Sequence, residues 1–448
     1  MTTPIAWFRQ ASPYIKAHRG STAVVYFGGE ALEAAQFPGL LHDLTLLSHL
    51  GLRLVLVHGI RPQIDARLAA RGAQARYHGD VRITDGHALP AVMEAAGAAR
   101  VQLEALLSLG LPNTPMSGAR LRVASGNFVT ARPLGVRDGV DLQHSGELRR
   151  VDSAAIRELL DLGQLVLISP LGYSPTGEVF NLRAEEVAAG VAAAVRADKL
   201  IFLLDGAGDD GELASLPAQL DPAAADRLVG ELADGEAART LRLAAASCRH
   251  GVRRGHLLDW RRDGVLLSEL YTRDGAGSLV AGDRYEGLRQ ARIEDVGGLL
   301  ELIAPLESDG ALVRRSREQL ELEIENFWVV ERDGAILACA ALYPYASNDH
   351  GRDDGRNDGS DGEAAVGELA CIASHRDYAG GGRGDALLAR IEREARAMGL
   401  ARLFVLTTRT AHWFIERGFE AGELGDLPVR KREMYNYQRA SKVFVKAL

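Results

Sequence analysis

The sequence predicts an α/β protein of two domains. Residues 1–282 read as a three-layer αβα unit with a mainly parallel sheet, and residues 287–448 as a mixed α/β unit. Three observations carry this. Short β-branched runs alternate with longer helical patterns through the first half. Those runs are apolar almost throughout. The pattern then breaks at 279–288 (LVAGDRYEGL), and a differently ordered series follows. The runs 22–27 (TAVVYF), 53–57 (RLVLV), 165–169 (LVLIS) and 200–204 (LIFLL) lack polar alternation, so both faces are expected to be covered. Helical stretches lie at 37–50, 62–71, 87–109 and 184–197. In the last, Val187, Val191, Ala194 and Val195 recur at helical spacing. Covered strands alternating with helices make a parallel sheet between helical layers. Gly28-Gly29 and Gly59 directly follow two of the strands. Ligands of open parallel sheets bind at the carboxyl ends of strands, so these glycines are expected to face a pocket.

Composition narrows the function. Of 448 residues, 52 are Lys or Arg and 60 are Asp or Glu, a net charge of −8. That balance opposes a nucleic-acid partner, which would need a basic excess. No stretch reaches the ~18–20 apolar residues of a membrane span, so no membrane partner is expected. The first twenty residues carry neither an apolar core nor a small-residue cleavage site, which points to the cytoplasm. Cys248, Cys339 and Cys371 are too few and too scattered for a disulfide framework or a zinc site, and no metal is expected.

The second unit reads as a strand at 288–291, helices near 293–304 and 316–325, and strands at 326–331 and 335–343. A polar insert, 347–363 (SNDHGRDDGRNDGSDGE), has no large apolar residue and no D-x-[DN]-x-[DN]-G calcium spacing; it reads as a disordered surface loop. A strand at 366–373, a helix at 385–398, a strand at 402–407, a helix at 410–417 and a strand at 441–446 complete the chain.

The sharpest motif is GELACIASHRDYAGGGRGDALLARIEREARAM, 367–398. An apolar strand enters a loop containing Gly380, Gly381, Gly382 and Gly384, and an amphipathic helix follows. Free N–H groups and the positive helix end make such a loop an anion site suited to a pyrophosphate, although a plain glycine turn has the same spelling. Glu368, three residues before Cys371, is the candidate general base for taking a proton from an amine; an edge carboxylate facing solvent is the alternative. The backbone of Cys371, Ile372 and Ala373 is placed to bond a ligand as an added strand does. The Cys371 side chain reads as a small core residue. The tail 428–448 holds Arg430, Lys431, Arg432, Arg439, Lys442 and Lys446 against one acid, Glu433. It fits an amine substrate with two carboxylates, the phosphates of a cofactor, or a solvated face.

Strand, glycine loop, helix, then LARLFVLTT and AHWFIERGF: this order resembles the GNAT superfamily of acyl-CoA N-acetyltransferases. Gly382 and Gly384 match its loop motif, while Ala379 replaces the Arg or Gln that opens it. Phe414 stands where the superfamily often has an acid tyrosine. The resemblance implies acetyl-CoA as cosubstrate, held by Cys371 to Ala373 and by the loop Gly380, Gly381, Gly382, Arg383 and Gly384.

The segments VVYFGGEAL (24–32), VLVHGIRPQI (55–64), VRITDG (81–86), 179–208 and LLSELYTRDGAGSLV (266–280) resemble the amino-acid kinase family. Tyr26 occupies the place of its phosphate-neutralising Lys. Ile60 interrupts its triple glycine, Arg183 replaces an Asn and Glu185 an Asp. Phosphoryl transfer rests on positioning and charge neutralisation, so these losses argue against ATP chemistry. A kinase-like unit joined to an acetyltransferase, with GIRPQI, LACIA, HWFIERGF and YNYQRASKV, is similar to the bacterial N-acetylglutamate synthases along nearly the whole chain. That resemblance implies acetyl transfer to L-glutamate, with Arg315, Arg439 and Ser441 on the carboxylates and Thr407 near the reacting amine. It further implies inhibition by L-arginine, bound near an N-terminal helix like WFRQASPYIKAH by Tyr14, Lys199, His256, Glu269 and the Gly275/Gly277 loop. By itself Glu269 also reads as a surface carboxylate. A homo-oligomer, a hexamer, is implied as well. Two other readings are a bifunctional synthase and kinase, and an amino-acid sensor whose transferase unit only binds CoA.

Overall fold

The computed structural model describes residues 4–109, 118, 121–206, 212–233, 235–282, 286–332, 334–345, 365–378, 382–437 and 439–448. The insert 347–363 and the loop residues Gly380 and Gly381 lie outside these. The chain forms two compact units, Met1–Asp283 and Arg284–Leu448.

In the first unit, eight strands make one sheet. Its order is Gln219–Leu220, Ser278–Ala281, Arg254–Asp259, Lys199–Leu204, Thr22–Phe27, Arg53–His58, Leu165–Ile168 and Val123–Ser125. Only the pairing of Arg254–Asp259 with Ser278–Ala281 is antiparallel. The absence of polar alternation is explained by burial on both faces. Ala23, Val25 and Phe27 enter one core with helices Phe37–His49, Ala88–Ser108 and Val265–Tyr271. Val24 and Tyr26 enter another with helices Ser153–Asp161, Ala184–Val195 and Glu236–Arg249. The unit is the expected αβα sandwich. A four-stranded sheet of Val179–Asn181, Leu171–Tyr173, Val129–Pro133 and Gly146–Val151 accompanies it.

The second unit has a seven-stranded sheet. Its order is Gly287–Gln290, Phe327–Arg332, Ala335–Tyr345, Val366–Ser374, Arg402–Thr407, Lys442–Ala447 and Glu420–Gly422. Every pair is antiparallel except Val366–Ser374 with Arg402–Thr407. That parallel pairing covers three residues, Val366, Gly367 and Glu368, and then stops. Beyond Glu368 one strand stays with Ala335–Tyr345 and the other with Lys442–Ala447, so the sheet opens into a wedge. Helix Arg383–Ala397 packs Leu387, Leu388, Ile391 and Ala395 on one face. Helices Val296–Ser308 and Arg317–Leu322 cover the other.

The helix read at 316–325 ends at Leu322 and continues as a short 3-10 turn, Ile324–Asn326. Helix Glu236–Arg249 and strand Arg254–Asp259 have no counterpart in the sequence reading. The helix buries mostly alanines (Ala237, Ala238, Ala244, Ala245), which give little hydropathic contrast. The strand RGHLLD is polar at both ends although His256 is buried within it.

Phe202 is fully buried and packs edge-on against Tyr26, with ring centroids 5.8 Å apart. Phe202→Ala is expected to cost about 3–5 kcal/mol, read from urea unfolding followed by circular dichroism.

Candidate active site

The wedge places several of the expected residues together. Glu368 sits at its apex, 6% exposed, at the last paired position. Three residues on, the pairing with the neighbouring strand slips between Cys339 and Ala341, where one extra residue is accommodated. Cys371 lies in this bulge with φ of +50°, a left-handed conformation that side-chain-bearing residues seldom adopt. The bulge disturbs the backbone register on the strand that borders the wedge, around Cys371, Ile372 and Ala373. The side chains of Cys371 and Ala373 turn into the core, as expected for Cys371.

Gly382 caps helix Arg383–Ala397 with φ of +71°, which favours glycine. The first-turn N–H groups of that helix have no intrahelical acceptor and carry the positive end of its dipole. A side chain at Gly384 would press on the Trp413 ring at 3.0 Å. The Arg383 side chain is already committed. Its guanidinium donates twice to Glu286, at 2.6 and 3.0 Å, and once to the Tyr378 carbonyl at 2.7 Å. Of the expected loop, the structure therefore offers backbone at 382–384 rather than a free arginine.

Arg315 and Arg439 come from distant parts of the chain, and Arg439 reaches the segment that leads into Arg315. Burial and the charge of Arg315 together lower the pKa of Arg439 below the usual guanidinium value. Arg439 donates to the Ala311 carbonyl at 2.5 Å, while its buried Nε has no hydrogen-bond partner. Arg315 donates to the Val313 carbonyl at 3.3 Å. Neither guanidinium has a carboxylate within 4.0 Å among the described residues. Burial works against the Arg315 charge, but the groups around it, Cys371, Tyr343 and Glu323, outweigh that and raise its pKa. The Cys371 thiol in turn is held below its ordinary value by a hydrogen bond with Cys339 and, against burial, by Arg315. Ser441 is buried, and its carbonyl accepts from the Tyr435 hydroxyl at 2.6 Å. Two guanidiniums from neighbouring segments, neither ion-paired among the described residues, suit a ligand with carboxylates.

Thr407 is buried at the end of its strand. Its hydroxyl lies 2.9 Å from that of Thr410 and accepts from the Thr410 N–H at 3.1 Å. Phe414, at the acid tyrosine's place, is a core residue against Phe419. The basic tail does not form one anion-binding face. Lys446 binds Glu392, Arg432 binds the Gly425 and Leu427 carbonyls, and Lys431 reaches Glu368 at 2.7 Å. Tyr345 also donates to Glu368, at 3.1 Å. Neither Tyr345 nor the Glu323–Tyr343 pair (2.6 Å) was marked by any motif. The register setting Tyr343 opposite Glu368 would have drawn attention to them, and single-sequence patterning does not supply register.

In the first unit, helix Pro4–His18 docks through Ala11, Tyr14 and Ile15, and the His18 ring bonds the Leu270 carbonyl at 2.8 Å. Burial and the nearby Lys199 ammonium pull His18 down to about 4. Lys199 and His256 are buried on adjacent strands. His256 Nδ1 lies 2.6 Å from Glu269, which also accepts from the N–H groups of Ala276 (2.6 Å) and Gly277 (3.1 Å). Burial opposes the Glu269 charge, but these partners hold its pKa at about 2. Gly275 has φ of +67°, and a side chain there would meet the Glu269 carboxylate at 2.7 Å. Burial lowers His256, so it donates Nδ1–H as a neutral ring and leaves Nε2 as a buried acceptor without a partner. Glu269 is thus an interior carboxylate, not one on the surface.

A cavity of about 500 Å³ faces Gly28, Gly29 and Gly59, as their positions predict. The Tyr26 hydroxyl donates to Glu236 at 3.2 Å in its wall. Burial, Glu185 and Glu30 raise Glu236 to about 7. The lining sets the Tyr26 phenol and several carboxylates among Arg61, Arg82, Arg137, Arg183 and Arg239.

The fold and the wedge define an acyl-CoA-dependent N-acetyltransferase joined to a kinase-like unit. Residues 21–259 match the amino acid kinase family and 298–419 the acetyltransferase (GNAT) family. The chain is 54% identical over 446 residues to an amino-acid acetyltransferase of Ectopseudomonas mendocina (strain ymp), covering 99% of each. It is 53% identical over 450 residues to one from Pseudomonas aeruginosa PAO1, again covering 99% of each. A crystal structure of N-acetylglutamate synthase from Neisseria gonorrhoeae with coenzyme A and L-arginine is similar throughout, at TM-score 0.79, 38% identity and 100% of each chain. The same synthase with coenzyme A and N-acetyl-glutamate gives TM-score 0.59 over the same coverage. The chain belongs to the amino-acid acetyltransferase family: it is an acyltransferase whose acetyl donor is acetyl-CoA.

His58 is fully buried, with Nε2 2.9 Å from the Ser169 hydroxyl, and burial lowers it from 6.5 to about 4. Between those values the unfolded chain binds a proton that the folded one refuses. This contribution to stability is therefore lost as pH falls from 6.5 toward 4. Asp43, raised by burial and Asp263 to about 6, acts in the opposite sense. Urea midpoints across that range should fall less steeply in His58→Asn than in the wild type.

Proposed function

We propose that the enzyme transfers the acetyl group of acetyl-CoA to the amine of L-glutamate, the step that opens arginine synthesis, and that L-arginine inhibits it. The observation that carries the substrate is that Arg439 reaches the segment leading into Arg315, while neither guanidinium is ion-paired among the described residues. A dicarboxylic amino acid relieves their repulsion and presents its amine toward Glu368, with Ser441 completing the pocket. In this reading the cofactor lies in the wedge. Its pantetheine bonds the backbone of Cys371, Ile372 and Ala373, and its pyrophosphate meets the loop Gly380, Gly381, Gly382, Arg383 and Gly384. Glu368 takes a proton from the ammonium, and the freed amine attacks the thioester carbonyl. The C–N bond forms, the C–S bond breaks, and CoA leaves with a proton at sulfur. Thr407, locked in its turn, borders the reacting amine.

The first unit, residues 1–282, is then regulatory. The buried Nε2 acceptor of His256 and the docked N-terminal helix favour an effector rich in N–H donors, such as L-arginine, near Tyr14, Lys199, Glu269, Gly275 and Gly277. Coupling of that site to catalysis would be allosteric. Ile5, Trp7 and Phe8 are exposed on the same helix. They favour contact between copies of this chain, in keeping with a hexamer, and no described helix is long and apolar enough to cross a membrane. The free thiols of Cys248, Cys339 and Cys371 favour the reducing cytoplasm as its compartment.

Thiol release from acetyl-CoA across a panel of amino acids tests the reading. Release should require L-glutamate and fall on adding L-arginine. Release indifferent to glutamate overturns the substrate, whereas indifference to arginine overturns only the regulation. Arg439→Ala should raise KM for glutamate on the order of 10- to 100-fold with little change in KM for acetyl-CoA. Glu368→Gln should lower kcat by roughly 10²- to 10⁴-fold at unchanged KM for acetyl-CoA.

A further inference from the structure

The partner of Glu368 has a role that the transfer reaction alone does not require. Glu368 is buried at the wedge apex, and its two oxygens are taken by different donors: Tyr345 at 3.1 Å on one, Lys431 at 2.7 Å on the other. Tyr345 is on the neighbouring strand and packs with Phe404 at 5.8 Å between ring centroids. Lys431 is on helix Val429–Glu433, which follows the buried Leu427. Leu427, Phe404, Val366 and Val443 form one cluster that anchors the helix beneath the carboxylate. The lysine side chain is still a quarter exposed, so its flexible stem has a route to water.

An amino acid arrives with its amine as an ammonium, and that ammonium must reach the same carboxylate. Two ammoniums then compete for one base. A carboxylate clasped by Lys431 is also poorly placed to take a proton from water, which would otherwise attack the thioester. We propose that Lys431 is a positioning residue that occupies Glu368 until the ammonium of the substrate displaces it, keeping the base idle while no amine is bound. This rests on Glu368 being the base of the proposed reaction. The step held back is hydrolysis: water forms a C–O bond to the acetyl carbon, the C–S bond breaks, and acetate and CoA thiol result.

The test compares Lys431→Met and Lys431→Gln with Lys431→Arg and the wild type. The Gln variant keeps a hydrogen-bond donor for the buried carboxylate without the charge, and it carries the test should the Met variant fail to fold. Removal of the charge should lower KM for the amine substrate about three- to tenfold, leave KM for acetyl-CoA unchanged and raise thiol release in the absence of any amino acid. The Arg variant should keep wild-type values. An unchanged or raised KM together with unchanged amine-free release overturns the proposal. The KM is read with whichever amino acid the wild type acetylates, so a wild type indifferent to glutamate overturns the earlier substrate reading alone. The amine-free arm decides the role of Lys431 in that case too.

Discussion

Everything at the catalytic end of this protein depends on two parallel strands that pair for three residues and then separate. Up to Glu368 the backbones of Val366–Ser374 and Arg402–Thr407 satisfy each other; beyond it each keeps only its outer neighbour. Backbone groups freed in a sheet interior must find other partners. A ligand with an amide-bearing arm can supply them, as an added strand does. The same separation leaves the last paired carboxylate at the floor of the opening. Outer pairings hold the two strands apart, so the opening belongs to the sheet itself and needs no loop to prop it.

The first unit is an amino acid kinase scaffold whose interior is packed throughout. Its sheet is buried on both sides, and the glycines after Phe27 and His58 still line a large cavity. The wall of that cavity mixes arginines with carboxylates and a phenol, with Glu236 poised near neutrality by its neighbours. Tyr26, on the strand that leads into the first glycine pair, packs its ring into the core against Phe202. The polar residues near the docked helix, by contrast, are tightly knit: Glu269 accepts from a histidine and two backbone amides.

Much of this was legible in the chain. TAVVYF and LIFLL declared a two-sided sheet because burial on both faces removes alternation. The glycine run before Asp385 declared a helix start. What stayed hidden was what depends on register and on contacts between distant segments. Nothing in SHRDYAGGGRG says that Arg383 is clasped by Glu286, far upstream. The basic tail suggested one anion site, yet its charges disperse: Lys446 to Glu392, Lys431 to Glu368, Arg439 to the company of Arg315. Helix Glu236–Arg249 escaped notice because alanine packs closely without a strong apolar stripe.

The pairing of Arg315 with Arg439 carries one more consequence. Like charges close enough to shift each other's protonation attract any small oxyanion, whatever its carbon skeleton. Sulfate, phosphate and citrate should all lodge there and crowd out the amino acid. The apparent KM of the enzyme for its amine substrate would then depend on the anion of the buffer.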